Sequence, residues 1–213
     1  SGIAHEIRNP LAGIKTMAQA LEKEMSMDDP RREYVQRIIK QINRLNDLLK
    51  AFFTYAKPGR PEKQYHDFRS IVREVRTLIR ERCEHDHIEI EEKYAANLPM
   101  IYVDGNQLEQ VLLNLVINAL DAVGSNGKIM IEAALRAQSA SSKMKGNEEY
   151  FEFRISDTGP GIPKEIQKSI FDPFFTTKPN GVGLGLSIVF RIVHEHGGEV
   201  AVESLPGQGT TFI

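Results

Sequence analysis

The sequence predicts an α+β protein in which an N-terminal antiparallel helical hairpin is followed by an α/β two-layer sandwich. Apolar residues recur at helical spacings through the first 57 residues, and the proline-containing segment KPGRP comes directly after them. Beyond it, short alternating stretches typical of strands are interleaved with helical patterns. We therefore divide the chain into a hairpin (residues 1–57), a linker (58–63) and a sandwich domain (64–213).

Two apolar stripes predict the helices of the hairpin. They are separated by the segment SMDDP (26–30), where an aspartate can cap the second helix and Pro30 lies near its start. Two helices of this length bury too little apolar surface to be stable alone, so we expect a second copy to complete a four-helix bundle, giving a homodimer. The stripe residues are Ile3, Ile7, Leu11, Ile14, Ala18, Leu21 and Met25, then Tyr34, Ile38, Ile42, Leu45, Leu49 and Phe52.

The sandwich domain is predicted from strand and helix patterns that alternate along the chain. KIMIEAALR and YFEFRIS indicate a long antiparallel pair joined by the polar residues 138–147. Helices are expected on one face of a mixed, mostly antiparallel sheet. The other predicted strands are 64–67, 87–93, 101–103, 198–204 and a final strand cut short at Ile213; the predicted helices contain Ile71–Ile79, follow a cap at Asp104, and span about 184–196.

Composition limits the expected partners and compartment. The net charge of −2 gives no reason to expect nucleic acid or an anionic membrane surface as a partner. The single cysteine, Cys83, excludes an intrachain disulfide, fits a reducing compartment and is predicted to be an inert core thiol. No apolar run is long enough to cross a bilayer, so we expect this segment to be cytoplasmic and to make no membrane contact. The chain begins within a helical pattern and ends within a strand pattern, which favours a fragment of a longer protein that could itself be membrane-anchored.

The run HEIRNPL places a histidine, a carboxylate and a carboxamide in the first predicted helix. His5 and Asn9 are one turn apart and share a face, and the adjacent Glu6 is a candidate base for a nucleophilic imidazole. A lone histidine on a polar helix face is more often a solvated surface residue. These three residues alone therefore leave both interpretations open.

Three polar residues interrupt an otherwise apolar helix pattern in the sandwich domain. Asn114, Asn118 and Asp121 occur at i, i+4 and i+7, and buried carboxamides cost free energy unless they bind something. A carboxamide oxygen is a suitable ligand for a Mg²⁺ ion that also holds water and phosphate oxygens. The alternative is a structural network between this helix and the sheet.

Two glycine-containing motifs favour a nucleotide site. In DTGPGI, Asp157 can accept a hydrogen bond from the exocyclic amine of adenine, and Gly159 and Gly161 allow close approach of a base, although the string could also be only a turn. Further on, glycines alternate immediately before a predicted helix N-terminus, which suits phosphate binding but is not the P-loop pattern. Lys178 is the nearest cation that could reach phosphates, and a solvated loop lysine is an equally good interpretation. The alternating glycines are Gly181, Gly183 and Gly185.

In order and spacing, these motifs resemble the core of two-component sensor histidine kinases over essentially the whole chain. HEIRNPL resembles the H box, QVLLNLVINALDA the N box, DTGPGIP the first glycine box, FDPFFTTK the F box, GVGLGLSI the second glycine box and GQGTTF the terminal threonine motif. HEIRNPL with FFTTKPNGVGLGLSIV is most similar to the nitrogen-regulation type. The resemblance implies the GHKL-type ATP fold shared with gyrase, the Hsp90 chaperone and the mismatch-repair ATPases.

The resemblance also implies an activity and a role for each motif residue. Such a kinase uses ATP and Mg²⁺ to phosphorylate its own histidine, transfers the phosphoryl group to an aspartate in the receiver domain of a response regulator, and can dephosphorylate that regulator. By this resemblance, His5 accepts the γ-phosphoryl group, Glu6 orients or deprotonates it, and Asn9 positions water for dephosphorylation. The roles implied at the nucleotide are Mg²⁺ ligation by Asn118 with help from Asn114, adenine recognition by Asp157, and support of that contact by Thr210.

The strongest alternative is an ATP-hydrolysing conformational machine of the same GHKL type. Such relatives share the N-A-x-D-A pattern that begins at Asn118, but they place a glutamate four residues earlier to activate water. This chain has Asn114 there, and a carboxamide cannot act as a general base. A serine kinase that shares the ATP fold is disfavoured by HEIRNPL, and a degenerate dimeric scaffold is disfavoured by the intact nucleotide motifs.

Overall fold

The helices and strands of the chain fall into two units. The computed structural model describes residues 2–56, 61–137, 149–178 and 181–213. One unit comprises Ser1–Gly59 with Phe174–Leu184, and the other comprises Arg60–Pro173 with Gly185–Ile213. Residues 58–60 of the predicted linker and the predicted connection 138–147 lie outside the described residues.

The first unit contains the predicted helical hairpin, and this part of the fold class is confirmed. Helix α1 spans Gly2–Glu24 and helix α2 spans Arg32–Ala56. The turn between them is held by Asp29, whose carboxylate accepts a hydrogen bond from the Arg31 amide at 2.9 Å. Arg32 fastens the turn to α1, because its Nη1 donates to the carbonyl oxygens of Glu22 (3.1 Å) and Met25 (3.3 Å).

Much of the apolar surface of the hairpin remains exposed in a single chain. Val35 and Ile42 of α2 are buried, each 5% exposed. By contrast, a large part of both predicted stripes faces solvent, which leaves apolar surface for a further partner helix. The exposed stripe residues are Ile7, Ile14, Leu21, Tyr34, Ile38 and Leu45.

The second unit contains the predicted mixed sheet with helices on one face, as the fold class required. Its five-stranded sheet has the order β2-β4-β5-β7-β6, with β2 parallel to β4 and the other pairs antiparallel. Strands β1 and β3 differ from the prediction of one sheet, because they pair only with each other. The elements are β1 Gln64–His66, α3 Phe68–Asp86, β2 Glu89–Tyr94, β3 Ile101–Val103, α4 Gly105–Val123, β4 Lys128–Ala137, β5 Glu149–Asp157, α5 Gly185–Glu195, β6 Val202–Ser204 and β7 Thr210–Phe212.

Aspartates define where two of these helices begin. The side chain of Asp67 accepts a hydrogen bond from the Arg69 amide at 3.0 Å and caps α3. The side chain of Asp104 accepts from the Gln107 amide at 3.1 Å, as the sequence predicted for the cap of α4. Each bond satisfies one of the amide groups that a helix N-terminus leaves without an internal partner.

The core of this unit lies between the inner face of the sheet and the three helices. β4 alternates buried and partly exposed residues along its first half, as a strand covered on one face should. Phe68 at the start of α3 is fully buried and contacts the rings of Phe151 and Phe153, with centroids 5.2 and 5.5 Å away. Other fully buried side chains are Val72, Val75, Val111, Leu112, Val116, Leu120, Ile129, Ile131, Ile155 and Val189.

The opposite face of the sheet carries charged side chains. Glu152 on β5 accepts hydrogen bonds from Nε of Arg154 at 2.9 Å and from Nε of Arg136 at 3.1 Å. Burial opposes ionisation of Glu152, but the two guanidinium groups outweigh burial and keep its pKa below the usual value. A charged outer face and an apolar inner face confirm the two-layer sandwich. Within the part of the chain that the structure describes, no helix is both long and apolar enough to span a membrane.

Candidate functional site

The two asparagines of the predicted polar stripe lie beside the N-terminus of α5. A Cβ atom placed on Gly185, the first residue of α5, would lie 3.7 Å from Oδ1 of Asn114 and 3.9 Å from Nδ2 of Asn118. The Asn114 Nδ2 group is buried, and no acceptor among the described residues bonds to it. A buried donor without a partner is costly, and the first amides of a helix have no partner within the helix itself. The geometry therefore combines carboxamides and helix amides at one place suited to an oxygen-rich anion.

Asp157 forms a second polar centre at the end of β5. It is only 9% exposed, and its Oδ1 accepts a hydrogen bond from the Gly159 amide at 2.8 Å. Burial raises the pKa of Asp157, although the backbone amides of Gly159 and Thr210 act in the opposite direction. The negative charge is thus only partly compensated. A carboxylate in this state is suited to accept a further hydrogen bond from an amine.

The glycines of DTGPGI hold this carboxylate close to α4. A Cβ on Gly159 would lie 3.0 Å from the Cβ of Ala122, which is one helical turn beyond Asn118. Gly161 has φ of +75°, and a side chain there would collide with the carbonyl oxygen of Leu205. Glycine is therefore favoured at position 159 by the close contact with α4, and at position 161 by the positive φ and the contact with Leu205. The two polar centres are consequently aligned along one helix.

Ser204 is a functional candidate that the sequence analysis missed. Its hydroxyl accepts from the Ile162 amide at 2.7 Å, donates to the Gly209 carbonyl at 2.9 Å and lies 2.9 Å from Oγ1 of Thr210. Thr210 itself is 5% exposed. Ser204 thereby joins the DTGPGI turn to the predicted threonine. The available signal was the position of Ser204 and Thr210 at the two ends of the glycine turn SLPGQGT.

Asp121, the third residue of the polar stripe, is exposed and contacts α3. Its Oδ1 lies 2.6 Å from Nη2 of Arg82, which also pairs with Asp86 at 3.4 Å. Asp121 raises the pKa of Arg82 through this hydrogen bond. The structure thus gives Asp121 a contact that links α4 to α3.

The remaining predicted residues belong to the first unit. His5 and Glu6 lie in the first turns of α1, and their side chains lie outside the described residues; Asn9, one turn later, is exposed. Lys178, Gly181 and Gly183 lie in the segment Phe174–Leu184. This segment is closed by a hydrogen bond from the Phe174 amide to the Gly183 carbonyl at 2.8 Å, and within it the Lys178 carbonyl accepts from the Gly181 amide at 3.0 Å.

Family models match both parts of the chain. Residues 103–213 match the family described as histidine kinase-, DNA gyrase B-, and HSP90-like ATPase, so the sandwich domain is an ATP-binding domain of this class. Residues 1–61 match the His Kinase A (phospho-acceptor) domain. A phospho-acceptor domain followed by this ATPase-type domain defines the core of the two-component histidine kinases, and the chain belongs to that family.

Individual relatives agree with this assignment. The sensory histidine kinase/phosphatase NtrB of Vibrio alginolyticus is 39% identical, over 99% of this chain and 59% of its own length, which confirms the nitrogen-regulation resemblance. Full-length ShkA, solved in complex with AMPPNP, has a TM-score of 0.76 and 29% identity over 99% of this chain and 43% of ShkA. Histidine kinase ThkA, solved with response regulator protein TrrA, has a TM-score of 0.68 and 31% identity over 99% of this chain and 58% of that chain. The chain spans 33% to 59% of the length of the first curated relatives that it matches.

Proposed function

We propose that this chain uses Mg²⁺ and ATP to phosphorylate His5 and then transfers the phosphoryl group to an aspartate in the receiver domain of a response regulator. The observation that carries the proposal is the buried carboxamide of Asn114 beside Gly185. Asn114 stands where ATP-hydrolysing relatives of this fold carry a glutamate. Because a carboxamide cannot take a proton from water, ATP held here would await a better nucleophile.

The two polar centres along α4 suit the two ends of ATP. The partly compensated carboxylate of Asp157 would accept a hydrogen bond from the adenine amine, with Thr210 supporting it and Gly159 and Gly161 giving the base room. The phosphates would lie toward Gly185 at the N-terminus of α5, where the helix dipole favours an anion. Lys178, Gly181 and Gly183 are proposed to close over the phosphates, since their loop runs directly into Gly185 through Leu184.

The donor set fits a Mg²⁺ ion that is bound mainly by phosphate oxygens. Within the described ranges, no group of three or more His, Cys, Asp or Glu side chains could hold a metal ion. A site without an acidic cage suits Mg²⁺, which keeps waters and phosphate oxygens and needs few protein ligands. Asn118 would supply a carboxamide oxygen and Asn114 would assist. When bound, the ion would offset charge on the transferring phosphoryl group.

His5 belongs to one unit, whereas Asn114, Asn118 and Asp157 belong to the other, so we propose that phosphorylation uses a hinge in the linker. The linker 58–63 would let the nucleotide domain approach the hairpin for in-line attack by the imidazole, with Glu6 orienting the ring or taking its proton. Asn9 is exposed and one turn from His5, so it could position water in the reverse, dephosphorylating reaction.

The partners and location are proposed from the hairpin and the relatives. Exposed apolar residues on both helices support a homodimeric four-helix bundle. The ThkA complex with TrrA supports a response regulator as partner, and the kinase/phosphatase name of NtrB supports the reverse activity. We propose a cytoplasmic location for this segment, supported by its need for ATP; its net charge of −2 gives no reason to expect nucleic acid or an anionic membrane surface as a partner.

Radioactive labelling tests the proposal. The chain is incubated with Mg²⁺ and γ-labelled ATP as wild type, His5→Gln and the control His85→Gln, which alters an exposed histidine of α3. The wild type and the control should acquire a label that is labile in acid and stable in alkali. His5→Gln should acquire none while still binding AMPPNP. Labelling that persists in His5→Gln would refute the assignment, and release of phosphate without labelling of the wild type would favour the ATP-hydrolysing machine.

A further inference from the structure

The helices α4 and α5 are joined by a hydrogen bond far from the polar centres. His196 directly follows α5, and its Nε2 accepts a hydrogen bond from the Asp104 amide at 3.1 Å. Its Nδ1 lies 2.8 Å from the Ile192 carbonyl oxygen. A carbonyl can only accept, so Nδ1 must carry the proton and Nε2 must be bare. His196 is therefore held by hydrogen bonds at both ring nitrogens.

Asp104 connects this histidine to two other segments. It is 9% exposed, its Oδ1 accepts from the Gln107 amide at 3.1 Å, and its Oδ2 accepts from the Glu62 amide at 3.0 Å. Glu62 lies at the end of the linker. Through Asp104, the linker exit, the start of α4 and the end of α5 meet at one residue.

A local alternative to the histidine bond exists and is not used. Asp104 and Gln107 have the spacing of a capping box, in which the glutamine side chain accepts from the amide of the capping residue. Here His196 accepts from that amide instead. Oε1 of Gln107 is buried, and among the described residues no donor reaches it. The fold thus forms a long-range bond to α5 where a local bond within α4 would suffice to cap the helix.

This bond lies on the same pair of helices as the proposed phosphate site. α4 and α5 pack together, with Asp104 near His196 at one end and Asn114 near Gly185 further along. Asn114 lies about 15 Å along α4 from Asp104, and Gly185 lies about 16 Å along α5 from His196, at 1.5 Å per residue. The two distances match, so the bond between Asp104 and His196 fixes the register in which Gly185 faces Asn114.

We propose that His196 is a positioning residue for nucleotide binding: it fixes the end of α5 on Asp104 and so aligns Gly185, at the start of α5, with the carboxamides of Asn114 and Asn118. This inference depends on the proposed function, because it assumes that ATP binds at those groups. It also implies that the linker exit, held by the same Asp104, is coupled to the site.

A matched pair of substitutions separates this role from general stability. In His196→Gln the side-chain amide can reach the position of Nε2 and accept from Asp104, whereas in His196→Asn it reaches only the position of Nδ1. Binding of AMPPNP with Mg²⁺ should be weakened about three- to tenfold in His196→Asn, the effect of one lost hydrogen bond, and should stay within about twofold of wild type in His196→Gln.

Thermal unfolding without nucleotide provides the discriminating readout. The melting temperature of His196→Asn should be close to that of wild type, because Gln107 can then complete the capping box. The double variant His196→Asn, Gln107→Leu should melt at a lower temperature but bind AMPPNP as His196→Asn does. In autokinase assays the apparent KM for ATP should rise more than kcat falls. The inference would be overturned if His196→Asn bound AMPPNP as tightly as wild type. It would also be overturned if His196→Asn and His196→Gln lost the same amount of AMPPNP affinity.

A measurement on the wild type avoids any variant that folds poorly. Because coupling is reciprocal, AMPPNP should slow hydrogen exchange at the Asp104 amide. Unchanged exchange at saturating AMPPNP would overturn the inference while leaving the proposed function intact. If the wild type binds no AMPPNP at all, the proposed function fails, and this inference fails with it.

Discussion

Replacing Asp157 with asparagine should separate nucleotide affinity from stability. Asparagine has the same shape but replaces one carboxylate oxygen with an NH₂ donor. The amide oxygen can keep the 2.8 Å hydrogen bond from the Gly159 amide, and the NH₂ group then faces the adenine amine, so two donors oppose each other. A hydrogen bond to a charged group contributes about 1.5–3 kcal/mol. At 9% exposure little water can substitute, so we expect the Kd for AMPPNP to rise about 10- to 100-fold.

Although Asp157→Asn should weaken AMPPNP binding, it should not lower the stability of the domain without nucleotide. Burial raises the pKa of Asp157, which means that the folded state disfavours its charge. The folded state therefore binds this proton more tightly than the unfolded chain, and the contribution of Asp157 to stability becomes more favourable as the pH falls through the raised pKa. Asp157→Asn removes the charge at every pH, so its melting temperature should equal or exceed that of wild type at neutral pH.

Calorimetry and thermal unfolding at neutral pH and at successively lower pH test both effects. Wild-type affinity should fall toward acid as Asp157 takes up its proton, and the Asp157→Asn variant should lack this particular pH dependence. Asp67→Asn is the matched control, since asparagine still caps α3 and should leave binding unchanged. The proposed role of Asp157 is wrong if Asp157→Asn binds AMPPNP like wild type, or if it loses affinity only in proportion to a lower melting temperature.

Two further substitutions test the remaining roles. Asn118→Ala should abolish the part of AMPPNP affinity that depends on Mg²⁺, because it removes the proposed carboxamide ligand; titrations with and without Mg²⁺ check this, and an unchanged Mg²⁺ dependence would contradict it. Asn9→Ala should leave labelling of His5 within about twofold, because an exposed surface substitution rarely perturbs the fold, but should slow dephosphorylation of a phosphorylated receiver domain about tenfold or more. Parallel loss of both activities would mean that Asn9 supports His5 rather than the attacking water.

Local patterns were sufficient to predict most elements and both polar centres. The cap at Asp104 followed from an aspartate ahead of an apolar helix pattern, and the shared helix face of Asn114 and Asn118 followed from their i, i+4 spacing. In each case the signal and its consequence lie within one or two turns of the same helix.

Features that depend on distant pairing could not be predicted in the same way. Strands β1 and β3 have three residues each, too few to show which partner they take, and they form a separate sheet. Asp121 continued a polar stripe on α4, but its partner Arg82 comes from a different helix. Ser204 and Thr210 are close in sequence, but the hydrogen bond that links them to the DTGPGI turn comes from the amide of Ile162, which lies 42 residues before Ser204 in the chain. Non-local contacts of this kind carry no periodic signal.

The edges of the five-stranded sheet also bear on how copies of the chain associate. β6, at one edge, offers only three residues to a neighbouring strand, and β2, at the other, carries the charged run Glu89, Glu91, Glu92 and Lys93. Short edges and charged edges both discourage strand addition between molecules. The sandwich domains should therefore not associate through their sheet edges, even in the proposed homodimer.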